Sequence, residues 1–102
     1  MEKRVFVIGD RDTVLGFSLI GVEGMVTDDA GLAAEKLNDL ARDPDIGIIL
    51  VTSGIGNKMV ATIERLKEAG ALPIILEIPD RLTHPERMPL RELVRRALGI
   101  SV

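Results

Sequence analysis

The residues of this chain best placed to do chemistry stand at the ends of its apolar runs. Asp10 and Asp12 follow Val5, Phe6, Val7, Ile8 and Gly9 in the stretch VFVIGDRDTVLGF, Val5 to Phe17. Paired acids directly after a buried strand are one part of a magnesium-dependent phosphoacceptor site. That chemistry also needs a phosphorylatable Asp at the end of the third strand and a lysine late in the sheet. The third apolar run ends Val51-Thr52-Ser53, with no carboxylate. The fourth ends Glu77-Ile78-Pro79, and no fifth strand with a lysine follows it. Phosphoryl transfer has no acceptor in this pattern.

Ser53-Gly54-Ile55-Gly56-Asn57-Lys58 follows a strand and opens a helix, which is half of a dinucleotide-binding fingerprint. The third glycine of that fingerprint is replaced by Met59, and no GxxxxGK[ST] spacing exists. Backbone amides at the helix start can hold an anion, while a glycine turn that merely satisfies local geometry accounts for the same residues. The sole histidine, His84, sits between Thr83 and Pro85 with no second ligand or base near it in sequence. Ser18 and Ser53 have no other histidine to activate them. Asp28 and Asp29 read as a helix cap. The expectation is a chain with no catalytic, cofactor-binding or metal site.

Composition narrows the class further. With 102 residues, 46% hydrophobic and 28% charged, the chain reads as one ordinary globular domain. No cysteine means no disulfide framework or thiol nucleophile. The absence of Trp and Tyr, with a net charge of −3, argues against a nucleic-acid partner. The apolar run Ile46 to Val51 is far short of the ~20 residues of a membrane span, so no direct membrane insertion is expected. Glu2, Lys3 and Arg4 lead straight into a strand, so no signal peptide is read.

The elements that must position these residues alternate strand and helix. Val5 to Ile8 has no polar interruption, as in a strand covered on both faces. Asp12 is expected to cap a helix from Thr13 to about Ile20, which Gly21 breaks. A short or edge strand follows at Val22 to Thr27. A helix capped by Asp28 or Asp29 carries Ala33, Leu37, Leu40 and Ala41 on one face, and Asp43-Pro44-Asp45 is a turn. Ile46 to Val51 should be a central strand. The next helix starts near Gly56, with Met59, Val60, Ile63 and Leu66 on one face and Gly70 as a left-handed cap. Pro73 to Ile78 is expected at an edge. Strand and helix in alternation predict an α/β fold of three layers, a four-stranded parallel sheet in the order 2-1-3-4, as in flavodoxin-like and receiver-like proteins.

The character changes after residue 79. Residues 1–79 form the expected body and 80–89, with Pro85 and Pro89, a semi-rigid linker. Residues 90–102 are expected as a helix and tail. Leu90, Leu93, Val94, Ala97 and Leu98 fall at i, i+3, i+4, i+7 and i+8, with Arg91, Arg95 and Arg96 on the other side. Pro89 suits the first helical position and Gly99 the cap. Residues 1–79 carry a net charge of −5, from 8 Lys and Arg against 13 Asp and Glu. Residues 80–102 carry +2, from 5 Arg against 3 acids. A helix packed permanently on the sheet and a detachable partner-binding helix both fit this pattern.

VIGDRDTVLGF, the GVEG-type second strand and the buried DIGIILVT run together resemble the F subunit of archaeal and bacterial V/A-type ATPases. The ending PLRELVRRALGISV is similar as well, and the resemblance runs in order along essentially the whole chain. Ser53 to Lys58 departs from it, since that family more usually has a charged helix entry without two glycines. The resemblance implies a non-catalytic central-stalk protein that docks on the axle, the D subunit, inside a ring of catalytic and non-catalytic nucleotide-binding subunits. It implies contact with the membrane rotor only through the stalk, at the cytoplasmic face of the membrane. It also implies that the last helix meets the axle or the ring, with Leu90, Leu93, Val94, Ala97, Leu98, Arg91 and Arg95 as the contact residues. The alternative is a receiver-like or small-anion-binding signalling module that uses Gly54 to Lys58.

Overall fold

The computed structural model describes residues 3–70 and 72–79. β1 (Arg4–Gly9), β2 (Glu23–Val26), β3 (Ile46–Thr52) and β4 (Ile74–Ile78) form one sheet in the order β2-β1-β3-β4. All three pairings are parallel. The expected architecture and strand order are therefore those observed, with β1 and β3 central and β2 and β4 at the edges. The linker expected at 80–89 and the helix expected at 90–102 lie outside the described residues.

The two faces of the sheet are covered unequally. Side chains alternate along each strand, so β1 sends Phe6 and Ile8 to one face and Val7 to the other. The first face packs under α2 (Ala30–Ala41), α3 (Ser53–Gly56) and α4 (Val60–Ala69), with Leu37, Ile49, Val51 and Ile63 at its centre. Among the described residues, the second face packs under α1 (Arg11–Ser18) alone, where Val14 and Phe17 meet Val7 and Leu50. Phe17 is fully buried. Burial of one such side chain is worth about 1.5–3 kcal/mol.

Local chemistry sets the helix ends, and here three expectations change. Asp10, rather than Asp12, caps α1, which opens at Arg11 and ends at Ser18. The Asp10 carboxylate can reach the Thr13 amide because the ladder ends at Gly9, whereas Asp12 lies within the first turn, where an acid suits the helix dipole. The helix expected from Gly56 is two pieces: α3, then a turn, then α4 starting at Val60. Met59 and Ile63 are buried and Leu66 packs against the same cluster, but Val60 is exposed, since α4 begins at Val60 and Met59 stands before it in a non-helical conformation, φ −130° and ψ 28°. Gly70 is extended, φ 178° and ψ 178°, not left-handed. Gly21 does take a positive φ of 88°, which ends the turn after α1. Asp29 caps α2 as expected, accepting from Gly31 N at 2.8 Å and Leu32 N at 3.1 Å.

Candidate functional site

In a parallel sheet of this order, ligand sites gather at the carboxyl ends of β1 and β3, where the strand connections diverge. That end of this molecule is occupied by caps and close packing. Asp10 Oδ2 accepts from the Thr13 amide at 3.0 Å, and Oδ1 accepts from Thr13 Oγ1 at 2.7 Å. The acid that would begin a cation site is thereby committed to a buried threonine. At the end of β3 stands Thr52, fully buried, with its Oγ1 lacking a hydrogen-bond partner among the described residues. Its side chain lies against Gly9, with no room for a ligand between them.

The Gly54 to Lys58 segment is also taken up by the fold. Ser53 to Gly56 form a helical turn, with Ile55 and Gly56 buried. Lys58 Nζ donates to the backbone carbonyl of Asp28 at 3.3 Å, which directs it to the loop before α2. Among the described residues, no three His, Cys, Asp or Glu side chains come together as a metal site. His84 lies outside the described residues. A shallow groove of about 300 Å³ runs between α2 and α4, but its two arginines are engaged. Arg65 Nη2 donates to Asn38 Oδ1 at 3.0 Å and Arg42 pairs with Asp39 at 2.7 Å.

The contact residues expected on the last helix, Leu90, Leu93, Val94, Ala97, Leu98, Arg91 and Arg95, lie outside the described residues. The structure instead displays apolar surface that sequence reasoning missed. On α1, Leu15 is 58% exposed, and Leu19 just after it 78%, with Ile20 beside them in the following turn. The signal was available: Val14 and Phe17 mark one face of α1, and Leu15 and Leu19, four apart, mark another. A short helix apolar on both sides can bury only one of them on its own sheet. Ile74 and Leu76 of β4 are exposed in the same way. Among the described residues, no helix is long and apolar enough to cross a membrane.

Fold and site thus define a doubly wound α/β module whose strand ends carry caps and packing contacts where related topologies carry an acid acceptor. The family model for the ATP synthase (F/14-kDa) subunit matches residues 5–94. A protein of Methanothermobacter thermautotrophicus, named as the F subunit of an A-type ATP synthase, is 43% identical across all of this chain and 98% of the relative. Relatives of the same name from Thermococcus kodakarensis and Methanocaldococcus jannaschii are 41% and 33% identical. Each match covers 97% of this chain, and 97% and 98% of the respective relative. The chain belongs to the ATP synthase F/14-kDa subunit family.

Proposed function

We propose that this chain is a non-catalytic rotor component in the central stalk of a V/A-type ATP synthase, docked on the axle, the D subunit. In that position it turns within the ring of nucleotide-binding subunits and helps couple ATP synthesis or hydrolysis to proton or sodium movement. It meets the membrane rotor only through the stalk, at the cytoplasmic face of the membrane. The observation that carries the reading is the match over essentially the full length to proteins named as F subunits of A-type ATP synthases. The engagement of Asp10 by Thr13 and of Lys58 by the Asp28 carbonyl supports a structural rather than catalytic use of the strand ends. The partner contact is assigned to Leu90, Leu93, Val94, Ala97 and Leu98, with Arg91 and Arg95 steering approach.

Co-expression with an axle protein tests this. A stable one-to-one complex, with no ATP turnover by the isolated chain, is the expected result. Failure to associate with the axle, together with binding of phosphate or nucleotide at Gly54 to Lys58, would replace it with the signalling-module reading.

A further inference from the structure

We draw no further inference here: the strongest candidate, the exposed apolar ridge that Leu15 of α1 makes with Leu19 and Ile20 just after it, carries nothing because nothing in the structure shows what covers it.

Discussion

The side chain of Thr52 rests directly on the backbone of Gly9, so that a Cβ built on Gly9 would stand only 2.8 Å from Thr52 Cβ. The two residues end the central strands β1 and β3, at the end of the sheet where this topology usually receives a ligand.

Gly9→Ala is expected to destabilise the fold by about 1–3 kcal/mol, the usual cost of overpacking a rigid site, because Thr52 is fully buried and cannot swing away. Urea unfolding followed by circular dichroism measures this. A midpoint equal to wild type would show that β1 and β3 can separate at that end.

Thr52→Val should be neutral or stabilising by about 1 kcal/mol, since the buried Oγ1 has no partner among the described residues and the shape is kept. A thermal midpoint clearly below wild type would reveal a hidden partner for the hydroxyl.

Asp10→Ala should cost about 1 kcal/mol through loss of the α1 cap, which corresponds to a fall of roughly 4–8 °C in the melting midpoint of a domain of this size. Asp12→Ala should cost much less, because Asp12 lies in the first turn and does not cap. Equal effects in the two variants would contradict the observed cap geometry.

Truncation after Asp80 should leave a body that still unfolds in one cooperative step, since among the described residues the four paired strands and both core clusters all lie before Pro79. Loss of the cooperative transition would place residues 90–98 within the core itself.

Leu93→Asp should weaken axle binding and alter ATPase activity of the reconstituted complex at both low and high salt. Arg95→Ala should have a smaller effect that fades with salt, because exposed charge contacts are worth roughly 0–1 kcal/mol and are screened. Wild-type behaviour of Leu93→Asp in both assays would make residues 90–98 a passive end.

Much of this molecule was settled by one-dimensional chemistry. Uninterrupted apolar runs at Val5 to Ile8 and Ile46 to Val51 fit strands buried on both faces. Their alternation with amphipathic segments leaves a parallel sheet in the order 2-1-3-4 as the simplest arrangement. Asp29 and Gly21 act within a few residues of themselves, so their roles as cap and break were legible too. Tertiary structure decided what depends on competition for space. Whether Asp10 or Asp12 caps α1 turned on where the β1 ladder stops, and whether Val60 is buried turned on where α4 begins. The exposure of Leu15, Leu19, Ile74 and Leu76 depends on which neighbours arrive, since an apolar residue looks the same in sequence whether or not it is covered. Only the packed sheet, with three helices on one face and α1 alone on the other among the described residues, shows which apolar surface remains uncovered.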